Sequence, residues 1–256
     1  MKLKHISHLI TGSVMELFGV MADGKVVNSY ELTNKRGAKL KVINYGATVT
    51  SLKIPLKSGE MVDVVLGFDT LENYINSFDL ESAPCLGATV GRYAGRINNA
   101  AFNLNGEIIH LDKNNNGHSL HGGKDNFSKK VWEVKNVNEG CSPSITFSYL
   151  SPANEGNYPG DLSVELTYTL SENNELIIEY IAQTTEDTVL NLTHHSYFNL
   201  DGHDSSVSEQ ELIVNSHKML ETTAENIPTG RVLNLENNAF DFNQPKPCPS
   251  KIDNTF

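Results

Sequence analysis

Apolar and polar side chains alternate along most of this chain, and the alternation restarts after each short polar break. Lys25 to Leu32, Lys39 to Ile43, Thr48 to Ile54 and Val62 to Leu66 read as strands. So do Val131 to Val137, Ser144 to Leu150, Leu162 to Leu170, Glu175 to Ala182 and Glu209 to Asn215. Phe102 to Leu104 and Glu107 to Leu111 flank Asn105-Gly106, the pair that supplies the positive φ angles of a type I′ hairpin turn. Ser171 to Asn174 joins two of the strands as a second hairpin. A helical period is confined to Leu71–Phe78. Many short strands with few helices predict an all-β sandwich or barrel. The longest irregular pieces run from Lys113 to Lys130, Pro152 to Asp161 and Asn234 to Phe256, and long structured loops are where function concentrates.

One segment departs from the ordinary half-buried strand. Asn191 to Leu200 reads N-L-T-H-H-S-Y-F-N-L, without a single Lys, Arg, Asp or Glu. As a strand it puts Leu192, His194, Ser196, Phe198 and Leu200 on one face and Asn191, Thr193, His195, Tyr197 and Asn199 on the other. The second face is a row of uncharged hydrogen-bonding groups around an imidazole and a phenol, which suits a hydroxyl-rich ligand such as a sugar. A core strand with satisfied histidines has the same pattern. Histidine titrates near pH ~6.5 and so exchanges protons at cellular pH. His194 and His195 point opposite ways, so one of them serves a given site. His195, which shares its face with Tyr197, is the better candidate, and a carboxylate working in the opposite sense is its natural partner.

Charge and cysteine usage narrow the function classes. The 256 residues suffice for one large domain or two small ones. A formal net charge of −11 argues against nucleic acid as a partner and is compatible with a neutral substrate. Cys85, Cys141 and Cys248 are odd in number, far apart and without C-x-x-C spacing, so neither a disulfide framework nor a thiolate metal site is expected, and a reducing, cytoplasmic setting is the simplest inference. The opening M-K-L-K-H-I-S-H-L-I reads as no signal peptide, and no stretch approaches the length of a membrane span.

Three further stretches carry candidate chemistry. In V-G-R-Y-A-G-R-I, Val90 to Ile97, Gly91 and Gly95 let the backbone bend or approach something closely, and Arg92 and Arg96 offer donor forks, either to ion pairs or to sugar oxygens. In N-N-N-G-H-S-L-H-G-G, Asn114 to Gly123, His118 and His121 sit in loop composition that buries little. They are not expected to be core histidines, and with only Asp112 and Asp125 nearby a metal set is not completed. Tyr158-Pro159-Gly160-Asp161 has type II turn chemistry and a structural role.

Together these stretches resemble the aldose 1-epimerase (galactose mutarotase) family from about Leu17 onward. The matching motifs are V-I-N-Y-G-A-T-V-T-S-L (Val42 to Leu52), D-V-V-L-G-F-D (Asp63 to Asp69), V-G-R-Y-A-G-R-I, S-L-H-G-G, Y-P-G-D-L, T-H-H-S-Y-F-N-L and N-I-P-T-G-R (Asn226 to Arg231), in shared order and spacing. The resemblance implies a large antiparallel β-sandwich of the mutarotase type, here as one domain over 1–256, with no metal and no cofactor. It implies interconversion of α and β anomers of free glucose or galactose by a monomer or weak dimer. In the family a glutamate takes the C1 hydroxyl proton while a histidine protonates the ring oxygen; the ring opens, the C1–C2 bond turns, and the ring closes on the other face. By this likeness His195 is the general acid and His121 assists at the ring oxygen. Gly95, Arg96, His121, Ser196, Tyr197 and Asp253 are implied as sugar-binding positions.

Departures from the family pattern shape a second expectation. His194 stands where the family commonly has Asn, and Gly95 where a sugar-contacting Asn is frequent. The family's catalytic glutamate lies beyond the stretch that matches, and no residue here corresponds to it. The resemblance therefore implies a C-terminally incomplete domain missing its last strands. The alternative function is a catalytically impaired sugar-binding or regulatory protein on the same scaffold.

Overall fold

The computed structural model describes residues 9–10, 13–80, 83–249 and 252–256. Most of the N-terminal stretch read above as carrying no signal lies outside them. Six strands form an antiparallel meander: β1 (Leu9–Ile10), β2 (Ser13–Val20), β3 (Val26–Thr33), β4 (Lys39–Ile43), β5 (Thr48–Pro55) and β6 (Met61–Asp63). The helix α1 (Leu71–Ser77) follows. Thr70 caps it by accepting from the Asn73 amide at 3.2 Å, and Leu71 and Tyr74 are its buried face.

The connecting region is built from short ladders. β7 (Thr89–Val90) and β8 (Arg96–Ile97) precede the hairpin β9 (Ala101–Leu104) and β10 (Glu107–His110), and β11 (Ser119–Leu120) returns to pair with β8. Asn105 and Gly106 have φ of 52° and 89°, as the type I′ turn requires. A second meander then forms from β12 (Glu133–Asn138), β13 (Ser144–Ser151), β14 (Leu162–Leu170) and β15 (Leu176–Thr184). β16 (Thr193–His194) pairs with β7. β17 (Glu211–Leu212) pairs with β20 (Lys246–Pro247), and β18 (Lys218–Thr222) with β19 (Pro228–Asn234).

The two meanders enclose one core. In β14 Leu162, Val164, Leu166, Tyr168 and Leu170 are buried while the residues between them are not, so one face is dry. They meet Leu32, Leu40, Val42, Val49 and Leu52 of the first sheet, together with Ile145, Phe147 and Trp132. The architecture is an antiparallel β-sandwich, one of the two all-β forms the alternation predicts and the one the resemblance implies. Glu209 to Asn215 is shorter than expected: its strand is Glu211–Leu212, entered through a 3₁₀ turn at Val207–Glu209. Cys85, Cys141 and Cys248 are free. Among the described residues no helix is long and apolar enough to cross a membrane, and no three metal-ligating side chains come together.

Candidate active site

The segment Asn191 to Leu200 is extended but changes partners halfway. Asn191 donates to Arg92 O (2.9 Å), His195 donates to Ala88 O (2.9 Å) and its own carbonyl takes the Gly87 amide (3.0 Å). From Tyr197 onward the segment pairs with the strand end at 64–66: Leu66 N donates to Tyr197 O and Asn199 N to Val64 O, both at 2.9 Å. The alternation of faces holds through Tyr197 and then fails. Phe198 and Leu200, expected inside, are 51% and 65% exposed, whereas Asn199 is buried and hydrogen-bonded to Ser205 O. The change of partner re-aims the chain.

Over the first half, the uncharged face assembles a cluster. The His195 ring lies 5.2 Å from that of His121 at 83°, and 5.3 Å from that of Tyr197. His121 sits on the turn after β11 and is clamped twice by Gly95: its amide donates to Gly95 O (3.0 Å) and its Nδ1 accepts from Gly95 N (3.1 Å). An acceptor Nδ1 places the proton of the neutral ring on Nε2. Burial, with the charges of His195 and Arg96, pushes the His121 pKa down to about 4, so the ring is a neutral Nε2–H donor at pH 7. Gly95 has φ +83°, and a Cβ there would meet nothing within 4 Å. Its part is to orient His121 through its own amide and carbonyl beside an opening.

Arg96 in β8 donates from Nε to Asn115 Oδ1 (3.2 Å), and its two NH2 groups have no further hydrogen-bond partner among the described residues. Asp253 is exposed and accepts from Asn226 Nδ2 at 3.1 Å, and its charge reaches both His195 and Tyr197. Burial lowers the pKa of His195, while its own backbone and then Asp253 pull in the opposite direction. His195 Nδ1 is sealed from solvent without a partner, which leaves Nε2 as the nitrogen available to a ligand. A groove of about 430 Å³, within the range of small-molecule sites (~300–1,000 Å³), adjoins the cluster. His121, Asn115, Lys124 and Lys129 are among its walls.

Several sequence expectations require correction. Ser196, implied as sugar-binding, faces the other way with His194, as strict alternation demands: its hydroxyl lies 2.6 Å from His194 Nε2. His118 is not a loop-surface histidine. It is 6% exposed, its Nδ1 accepts from Asn99 N (3.0 Å), and its Nε2 lies 3.4 Å from Glu225, an acid 107 residues away. Arg92 and Arg96 diverge. Arg92 is 2% exposed and all five of its N–H groups are taken: Nε by Ser151 Oγ, and the two NH2 groups by the carbonyls of Ser151, Pro152, Pro159 and Gly160 at 2.8–3.0 Å. Among the described residues it makes no ion pair; it clasps the loop that holds the Tyr158–Asp161 turn. Gly91 permits close approach, since a Cβ there would lie 2.6 Å from Leu192 and Phe127. Asn115, Tyr168 and Asn226 hydrogen-bond to Arg96, His194 and Asp253, contacts between segments distant in sequence that local pattern does not indicate.

This arrangement offers an imidazole beside a carboxylate, a neutral imidazole donor, a free guanidinium fork and an aromatic ring, all suited to an uncharged polyol. Comparison with known proteins identifies the family. The profile described as aldose 1-epimerase matches residues 28–256. Galactose mutarotase from Bos taurus is 39% identical over 208 residues, covering 81% of this chain and 58% of that protein. Galactose mutarotase from Homo sapiens is 37% identical over 231 residues, covering 90% and 64%. The crystal structure of the GalM/aldose epimerase homologue from C. elegans superposes with a TM-score of 0.77 at 35% identity, over 85% of this chain and 64% of that one. Galactose 1-epimerase from Lactobacillus acidophilus gives 0.80 at 25%, over 92% and 66%. The chain thus spans 58% and 64% of the length of these two curated relatives. On the matched profile and the shared fold, the chain belongs to the aldose 1-epimerase family.

Proposed function

We propose that residues 1–256 form one domain that binds free glucose or galactose between His121, His195, Arg96 and Asp253 and interconverts its anomers by ring opening. His195 gives a proton to the ring oxygen as the C1–O5 bond breaks. His121, a neutral Nε2–H donor, holds that oxygen, so the leaving alkoxide meets two donors. Arg96 donates to sugar hydroxyls, Asp253 accepts from them, and the exposed edge of Tyr197 lies against the ring. Closure on the other carbonyl face returns the proton to His195. The observation that supports this most is the perpendicular contact of His121 and His195 beside an unengaged Arg96 fork. The reaction also needs a base at the C1 hydroxyl. Asp253 is the carboxylate whose charge reaches His195, and it is held by Asn226. That lone carboxylate favours a second reading, sugar binding without turnover. A monomer or weak dimer in the cytoplasm, without metal or cofactor, completes the proposal.

Polarimetry on freshly dissolved α-glucose and α-galactose separates the readings. Equilibration faster than buffer supports the enzyme. Millimolar binding by calorimetry, lost in Arg96→Ala and without acceleration, supports the binding protein. Neither binding nor acceleration rejects the site.

A further inference from the structure

We propose that His194 is a positioning residue for His195, acting through a hydrogen-bonded chain that runs from Ser196 through His194 and Tyr168 to the carbonyl of Ala47. The inference rests on the site proposed above and deepens it.

The direction of the chain follows from its one fully constrained member. Tyr168 is completely buried, and its hydroxyl stands 2.7 Å from Ala47 O and 3.2 Å from His194 Nδ1. A carbonyl only accepts, so the single phenolic proton belongs to Ala47 O, and the phenolic oxygen accepts from His194. Nδ1 of His194 therefore carries the hydrogen and Nε2 is bare. That bare nitrogen receives the Ser196 hydroxyl at 2.6 Å. Every proton in the series is used once, and all point inward toward the core. Reversing the series would turn the lone pairs of Tyr168 onto Ala47 O at 2.7 Å and strand a buried carbonyl.

The residues on either side of His195 are thus tied to each other, and both are tied through Tyr168 to β14. With the side chains at 194 and 196 locked inward, the one between them must project to the opposite face, where His121 and Tyr197 lie. A slip of one residue would bury His195 and expose His194. The tie also fixes His194 as the Nδ1–H tautomer, opposite to the Nε2–H form that Gly95 imposes on His121. The histidine next to His195 in sequence and the histidine in ring contact with it are thus held in opposite tautomers, which is a spectroscopic signature.

The test uses the full chain labelled with ¹⁵N-histidine. Imidazole nitrogen shifts at neutral pH are expected to show a protonated Nδ1 for His194 and a protonated Nε2 for His121. Ser196→Ala and Tyr168→Phe are expected to move the His195 ring signals and weaken galactose binding about fivefold, the worth of one ordinary hydrogen bond. A role confined to packing would lower the melting temperature and leave the His195 signals unmoved. The proposal is overturned if His194 is the Nε2–H tautomer. It is equally overturned if folded Ser196→Ala, judged by its near-ultraviolet spectrum, keeps both the His195 signals and the galactose affinity of the parent. Should the parent bind no sugar, the functional proposal falls, while the tautomer and the His195 signals still decide the positioning role.

Discussion

Acidification is expected to destabilise this fold well above the range where carboxylates titrate. His121 and His194 are both pushed down to about 4, each chiefly by burial. Unfolded histidine titrates near ~6.5. The folded values lie below the unfolded ones, so as pH falls the unfolded chain takes up protons first. The stabilisation is full above about 6.5, is lost progressively down to about 4, and loses nothing more below that. At pH 5.5 the unfolded ring is about 90% protonated and the folded ring almost wholly neutral. Relative to pH 7 this costs about 1.2 kcal/mol per ring, or about 2.5 kcal/mol for the two. The figure at pH 5.5 barely changes if the folded value is 5 rather than 4, because the unfolded protonation dominates. His195, also lowered by burial, adds in the same sense. Asp23, Glu172, Glu221 and Asp241 are held below the ordinary carboxylate range and act only at lower pH, which leaves the window above 5.5 to histidine. Urea unfolding at pH 7 and 5.5 measures the difference, and His121→Gln and His194→Gln should each remove about half of it. A change under about 0.5 kcal/mol, or a double variant that keeps the parent's full loss, would refute the claim that burial holds both rings neutral.

If the chain turns over sugar, His195→Asn should slow mutarotation by about 10²–10⁴-fold while His194→Asn, which keeps a donor for Tyr168, costs far less; equal losses in polarimetry would place the proton donor on the wrong face. Arg92→Leu leaves Ser151 Oγ and four carbonyls without their donors, and should cost about 3–5 kcal/mol in urea unfolding, comparable to breaking a buried charged cluster. Gly95→Ala meets open space but is forced to φ +83°, so the expected loss is that of backbone strain alone, about 1–2 kcal/mol by thermal melting. A much larger loss would mean that His121 had been displaced.

Where one face was packed and the other wet, local pattern was enough to read the fold. Leu162–Leu170 kept its alternation over nine residues, and Asn105-Gly106 made the turn its φ angles demand. Ser13–Val20 gives no strand signal in sequence because Val14, Met15, Leu17 and Val20 are all exposed, so no period separates an inside from an outside. The hairpin of Lys218–Thr222 and Pro228–Asn234 escaped for the same reason, with six of the seven residues of its second strand exposed. In the site, the failures were non-local. His118 lay in a segment of loop composition, and its burial depends on Asn99 and Glu225. Arg92 and Arg96 look alike in sequence; only the carbonyls of a loop some sixty residues away distinguish the buried clasp from the free fork. Ser196 was assigned to the site by likeness and to the opposite face by alternation, and alternation was the better guide because the segment is still paired to 87–94 at that point.

The choice among three neighbouring imidazoles is the step that no pattern could make, and it reduces to what each ring is given to bind. Gly95 offers His121 a backbone N–H, which consumes Nδ1 as an acceptor and disfavours a second proton there. Tyr168 and Ser196 offer His194 one acceptor and one donor, and a proton added to Nε2 would force the Ser196 hydroxyl to turn and accept instead of donate. Both rings are therefore held neutral by specific partners as well as by burial. His195 has no well-formed hydrogen-bond partner at Nδ1 among the described residues, and its own backbone and then Asp253 favour its charged form. Of the three rings it is the one whose charged form a nearby carboxylate favours, against a burial that lowers it as it lowers the other two. If His195 is the proton donor proposed above, it must reload in each cycle, and neutral neighbours suit that role because a second positive charge beside it would oppose reloading. Neutral neighbours and one titratable ring are thus a single arrangement, and disabling either fixed ring should disturb the third.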